Sequence, residues 1–380
     1  MRRCTNCLIP DLRPEQKFDD NGICDACLNF KNKDKTDWKK RKLEFDQLLN
    51  SLKIKNSKWD CIVPSSGGKD STYQAIFLRD YGLKVLLVTA STCDLSILGR
   101  KNIENLKRLG FDTIEVSPNQ VIRKKINKIC LDLLGDLSWP EHVSIFTQPI
   151  HIACAFNIPL ICWGENPQFE YGGPLRKKGY ELDREWLEEF GGLLGFRVDD
   201  LRNHLHLDEK DLTFYTYPED KLLKKKNING IFLGFFFRWD NLENYLLAKK
   251  NGFIDYGKPI EGGYFSFEKL DNYQHGIHDY FKYLKYGFGR ATDQLSFSIR
   301  KGKIERSQAA KLLVKHEGKF PTSYLGKQLE DILNDIDLNI KDFTDICDRF
   351  TNKKIFKCFQ DGSLVKDENG NLKLNEDWNN

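Results

Sequence analysis

The chain has 380 residues, 40% of them hydrophobic and 30% charged, with a formal net charge of +4. That length buries a substantial core, as one large domain with appendages or as two, and so small a charge makes no demand for a nucleic-acid partner. The longest apolar runs, such as Ile231 to Phe237, are far too short to span a bilayer, and the first residues carry charges and two cysteines where a leader needs an apolar stretch, so a cytoplasmic protein without membrane association is expected.

Residues 1–30 open with Cys4-x2-Cys7 and return with Cys24-x2-Cys27, two knuckles that close a tetrahedral thiolate site. Between them Pro10, Pro14, Asp19, Asp20 and Gly22 supply the turns of a ribbon too short for its own core. The spacing therefore calls for a structural Zn2+ on these four cysteines, with no open position for catalysis. A redox dithiol is the other reading of a CxxC, and two matched pairs weigh against it. The other seven of the 11 cysteines are scattered singly and read mostly as buried thiols. In residues 31–57 lysines and arginines cluster from Lys31 to Lys42, but Asp34 and Asp37 are interleaved, which reads as a solvated helical linker.

Residues 58–167 alternate strands and helices. Trp59 to Pro64 is a strand with Cys61, Ile62 and Val63 as its apolar run; Ser65-Ser66-Gly67-Gly68-Lys69-Asp70-Ser71 follows and opens a helix from Lys69 to Tyr81, stopped by Gly82. Strand, paired glycines and helix start make a phosphate site: glycines let the backbone approach the oxygens, and the helix N-terminus presents free N–H groups. Neither common phosphate loop fits. A Walker A loop needs glycine at Val63 and Ser or Thr where Asp70 stands, and a dinucleotide fingerprint needs a third glycine before Gly82. A strand at Lys84 to Ala90, a helix at Gly99 to Leu109 and a strand at Thr113 to Val116 come next. Apolar residues at helical spacing from Val121 to Leu134, a helix at Ser144 to Phe156 and a strand at Pro159 to Trp163 complete the unit. The fold class expected is α/β, a doubly wound parallel sheet whose ligands sit at the carboxyl ends of strands. Ser65 to Ser71, Thr89 to Cys93 and Gly164-Glu165-Asn166 should converge there, the last adding a carboxylate and an amide suited to magnesium or an acceptor group.

Residues 168–225 break the rhythm with glycines among polar pieces, as an insertion suited to a substrate site does. Residues 226–265 return to the core: Ile231 to Phe237 reads as a buried strand, Arg238, Trp239 and Asp240 follow at its end and line a pocket, and a helix runs from Asn241 to Lys250 with Asn251 and Gly252 as its cap. Residues 266–350 read as helical. Within them the glycines of Lys285 to Asp293 place Tyr286, Arg290 and Asp293 in a mobile turn, where Arg290 suits a bidentate anion clamp or, equally, a structural salt bridge. His275 and His278 read as ordinary helix residues, and residues 351–380 as a polar tail.

The loop Ser65 to Ser71 resembles the SGGxDS loop of the PP-loop ATP pyrophosphatases, with Lys69 at the variable letter. That resemblance implies cleavage of ATP to AMP and pyrophosphate. It implies contacts to ATP from Ser65, Ser66, Gly67, Gly68, Lys69, Asp70 and Ser71, from Thr89 and Ala90 to adenine and ribose, and from Gly164. The ribbon, the loop, the Gly164-Glu165-Asn166 triplet, Phe237 to Asn241 and Gly287 to Asp293 together resemble the N-acetyl sugar amidotransferases of surface-polysaccharide and nonulosonate biosynthesis, over Cys4 to about Gly318. For that family the implied reaction adenylates the N-acetyl amide oxygen of a nucleotide-linked sugar and replaces it with ammonia. Lys69, Asp70, Glu165 and Arg290 are the implied catalytic residues, with Mg2+ positioned by Asp70; Asn166, Arg238, Trp239, Asp240 and Arg290 are the implied sugar contacts. Residue 2 is arginine and no nucleophile elbow surrounds the single cysteines, so ammonia is expected from separate partners similar to a glutaminase and cyclase pair. The alternatives are a tRNA thiolation enzyme, with Cys93 or Cys162 as sulfur carrier, and a non-catalytic assembly subunit that docks partners through its ribbon.

Overall fold

Five short strands set the architecture: β1 (Cys61–Pro64), β2 (Val85–Ala90), β3 (Asp112–Val116), β4 (Leu160–Trp163) and β5 (Asn229–Phe232). They form one parallel sheet in the order β3-β2-β1-β4-β5. The structure, a computed structural model, describes residues 2–12, 16–52, 57–165, 193 and 195–375. Successive strand residues point to opposite faces, so the near-continuous apolar runs feed two separate cores. Ile62, Leu86, Val88, Ile161 and Trp163 pack with Val143, Ile150 and Ala153 of the helix Trp139–Phe156. Cys61, Val63, Val85, Leu87, Leu160 and Cys162 pack on the other side, with Ala75 and Leu78 of the helix Lys69–Asp80 and Phe45 of the helix Trp38–Ser51. This is the doubly wound sheet expected, with helices on both faces.

From β1 the chain steps outward to β2 and β3, then crosses back to place β4 against the free side of β1, with Ile62 opposite Ile161. The strand order therefore reverses between β1 and β4, and such a reversal opens a crevice at the carboxyl ends of the two strands. Pro64 and Trp163 end there, so the loop after each faces the same space.

One element differs from expectation. The apolar run Ile231 to Phe237 is not a single strand: β5 stops at Phe232 and Leu233–Phe236 forms a helical turn. The Gly234 amide bonds the Gly164 carbonyl at 2.9 Å, which turns the chain as soon as β4 ends. The rings of Phe236 and Phe237 then pack on Phe45 at 5.4 and 5.2 Å. A short run buried on all sides carries no period to separate strand from helix.

A third core belongs to the C-terminal helices, with Ile277, Phe281 and Leu284 packed on Leu329, Ile332, Phe343 and Ile346. Leu131, Ala248 and Phe253 join the same cluster and tie it to the α/β unit. Beyond it, Phe356 pairs with Leu374 and is fully buried, so this part of the tail is packed. The segment expected to be a mobile turn is a break between the helices His275–Tyr286 and Arg290–Arg300, with Gly287 at φ +69 closing the first. Tyr286 lies in the first helix, and Asp293 is paired with Lys282. His275 and His278 are helix residues paired with Asp271 and Asp136. Among the described residues no helix is long and apolar enough to cross a membrane.

Candidate functional site

The loop after β1 is held open from within. Gly67 sits at φ +78, and a Cβ there would stand 2.8 Å from the Ile103 backbone nitrogen, so glycine is required on both counts. The Ser65 hydroxyl accepts from the Gly67 amide at 3.2 Å and lies 3.1 Å from the Ser71 hydroxyl, which bonds the Gly68 carbonyl. Gly68 is the N-cap of the helix Lys69–Asp80, and no side chain caps it. Its first amides are left for an anion to satisfy.

This loop walls a cavity of about 380 Å3 whose other sides come from Gly164 and Glu165 after β4, from Ala90 at the end of β2, and from Phe267, Glu268 and Arg290 of the C-terminal region. Glu268 is the residue that sequence reasoning missed. Only 7% exposed, its carboxylate pairs with the Arg290 guanidinium, lies 3.8 Å from the Lys69 ammonium, and accepts from Asn241 at 2.6 Å and Gln294 at 2.7 Å. Burial alone would raise its pKa, but Arg290, Lys69 and those two amides pull it down to about 2. Burial alone would likewise lower Lys69, yet Asp70, Glu268 and Glu165 hold its ammonium above the ordinary value. The Lys69 ammonium thus stays charged at neutral pH, as an arginine guanidinium does in any protein. Asp70 pairs with Lys69 and accepts from Asn244 at 2.9 Å.

The other expected site residues divide. Ser65, Ser66, Gly67, Gly68, Lys69, Asp70, Ser71, Ala90, Gly164, Glu165 and Arg290 all line the one cavity. Thr89 is buried in an adjoining recess beside Ser66 and Asp271. Trp239 lines a small recess with Glu165 and Arg290, its ring against Gly164, where a Cβ would meet it at 2.8 Å. Two expected sugar contacts have other partners. Arg238 lines none of these spaces and pairs with Asp34 at 2.9 Å on the surface. Asp240 caps the helix Asn241–Lys250 and pairs with Lys301. Asn166 and most of the 168–225 insertion lie outside the described residues.

The four ribbon cysteines converge as expected: their sulfurs lie within 4.8 Å of one another, with Cys4 and Cys27 at 3.9 Å and Cys7 and Cys24 at 3.7 Å. Metal–sulfur bonds of about 2.3 Å in a tetrahedron require sulfur separations of about 3.8 Å, so the site fits a structural metal. Backbone N–H groups of Cys7 and Cys24 point at the Cys4 sulfur, at 3.4 and 3.3 Å. The ribbon is not isolated: the Leu8 amide bonds Ser296 at 3.1 Å and Arg306 bonds the Cys7 carbonyl at 3.0 Å. Ser296 lies on the same helix as Arg290 and Gln294.

Residues 261–366 match the sequence model of the family described as "LPS biosynthesis protein WbpG-like, C-terminal domain". No curated protein matches the chain by sequence. A solved structure titled as a "predicted subunit of tRNA methyltransferase" from Methanocaldococcus jannaschii is similar over 62% of this chain and 91% of that chain, at 16% identity and a TM-score of 0.30. The segment 261–366 is the one that brings Glu268, Arg290 and Gln294 to the phosphate loop.

Proposed function

We propose that the protein is an ATP-dependent amidotransferase of the PP-loop class, which adenylates the N-acetyl amide of a sugar and replaces its oxygen with ammonia. The observation that carries this reading is the meeting, in one cavity, of the Ser65 to Ser71 loop with Glu268 and Arg290 from a segment similar to a lipopolysaccharide-biosynthesis family. The amide oxygen attacks the α-phosphorus, the α–β bridging bond breaks and pyrophosphate leaves. Ammonia then adds to the imidate carbon and AMP departs with the former amide oxygen, leaving an acetamidino sugar and a proton. Loop amides and the helix N-terminus meet the phosphates, while Lys69 and Arg290, already charged, stand where negative charge develops. Asp70 and Glu165 would hold magnesium together with the phosphates, and that ion would offset the charge of the departing pyrophosphate.

Zinc on Cys4, Cys7, Cys24 and Cys27 fixes the ribbon, and ammonia comes from separate glutaminase- and cyclase-like partners. Against a sulfur-transfer reading, Cys162 is fully buried and burial pushes the Cys93 thiol up to about 11, so neither is a ready nucleophile. The test is incubation with ATP, magnesium, ammonium and UDP- or CMP-linked N-acetyl sugars, with mass spectrometry for AMP and for a sugar in which NH replaces oxygen. Release of AMP only with tRNA would overturn the proposal.

A further inference from the structure

A second cavity, of about 260 Å3, lies within the C-terminal region and shares Arg290 with the cavity of the phosphate loop. A second connection runs beside it: Lys269 lines the first cavity and pairs with Asp279, which lines the second. The first cavity, about 380 Å3, is near the lower end of the range for ligand sites, about 300–1,000 Å3, and a nucleotide with its phosphates on the loop takes it up. An acceptor needs room of its own that opens toward the same reacting atoms.

We infer that the second cavity binds the pyranose ring of the acceptor sugar, with Arg290 as the wall between sugar and nucleotide. This deepens the amidotransferase reading and rests on it for the reaction, though not for the binding. The lining suits a pyranose. Tyr280 and Phe320, edge to face at 5.7 Å, offer aromatic surface for the C–H face of a sugar ring. The Asp279 carboxylate, 7% exposed, accepts from sugar hydroxyls on the side that Lys269 leaves. Tyr283, equally buried, lines the same cavity, and a phenol hydroxyl can donate to or accept from a sugar hydroxyl. Lys315 and Lys319 are exposed at the rim, where a nucleotide-linked sugar would carry its phosphates. From Glu261 to Ser323 the lining falls inside the segment matched to the lipopolysaccharide-biosynthesis family, and none of it comes from the α/β sheet.

The experiment is saturation-transfer NMR with UDP-N-acetylglucosamine, the first cavity being filled by α,β-methylene ATP. The wild-type protein should transfer magnetisation to pyranose and acetyl protons. Thr322→Trp places bulk from an exposed rim position, and it should weaken sugar binding by about tenfold or more while leaving binding of the ATP analogue unchanged. Lys319→Glu, at an exposed position, should weaken it less. No transfer in wild type, or wild-type affinity in both variants, overturns the inference. If the sugar binds and Thr322→Trp abolishes binding, yet no AMP forms with ammonium, the cavity stands and the amidotransferase reading falls. If product forms with an unchanged sugar KM in Thr322→Trp, the reading stands and the cavity assignment falls.

Discussion

Replacing Glu268 by glutamine keeps the side chain's shape and removes its charge, which leaves buried Lys69 and half-buried Arg290 without their shared counterion. The Lys69 ammonium at 3.8 Å alone interacts with Glu268 by about 4 kcal/mol at an effective dielectric constant of about 20. Part of that is returned because a buried carboxylate no longer has to be desolvated, and breaking a buried pair from one side costs about 3–5 kcal/mol in measured cases. The depressed pKa leads to a value of the same order. Glu268 is held near 2 when folded, against an ordinary 4.5, a difference worth about 3 kcal/mol at neutral pH. A depressed carboxylate stabilises the fold fully above the unfolded pKa and loses that contribution as pH falls toward the folded one. The variant should therefore be about 3 kcal/mol less stable at pH 7, and the gap should close by about 1 kcal/mol at pH 4 and about 2 kcal/mol at pH 3. Urea denaturation of both proteins at each pH measures this, and protons competing for the ribbon cysteines cancel in the difference. Equal stability at pH 7, or a gap that does not close with acid, would refute the pairing on which the site is built.

Gly67→Ala forces an L-residue to φ +78 with its Cβ 2.8 Å from a backbone nitrogen, so it should cost about 1–3 kcal/mol and weaken ATP binding; unchanged urea midpoint and ATP affinity would contradict the loop geometry. Cys7→Ser should abolish stoichiometric zinc in native mass spectrometry and speed proteolysis within residues 1–33, while aromatic circular dichroism of the α/β unit persists; retained zinc would show that the four thiolates are not the site.

The sheet and the loop were legible in the sequence because each rests on local chemistry. Two-faced strands read as unbroken apolar runs, and the Gly67-Gly68 pair between strand and helix admits few other uses. The four cysteines were legible for the same reason, since metal ligation needs only spacing. What was hidden depends on tertiary meeting. Arg238, Trp239 and Asp240 are consecutive and looked equivalent, yet one points to the surface, one packs on Gly164 and one caps a helix. Glu268 has no motif around it. Its one signal is a carboxylate set within Tyr264-Phe265-Ser266-Phe267 and Leu270, a stretch apolar enough to be buried, where a charge persists only with partners. Arg290 stood open between anion clamp and structural pair, and the structure shows the pair: Glu268 holds its guanidinium in the cavity wall.

If the cavity takes ATP as proposed, the charge of that wall bears on how the nucleotide arrives. Among the described residues the wall's ionisable side chains are three cations, Lys69, Lys269 and Arg290, against four carboxylates, Asp70, Glu165, Glu268 and Asp271, which leaves one negative charge. A tetra-anion gains nothing from such a balance, and loop amides and a helix N-terminus offer only about half a positive charge. On the proposed reading a divalent cation would then bring the phosphates in, held between them and the Asp70 or Glu165 carboxylates. ATP should bind at least about tenfold more tightly with magnesium than without, and Asp70→Asn should shrink that ratio by relieving one negative charge. Calorimetric titrations at fixed ionic strength measure both. An ATP affinity independent of magnesium would mean that the phosphates do not lie against these carboxylates.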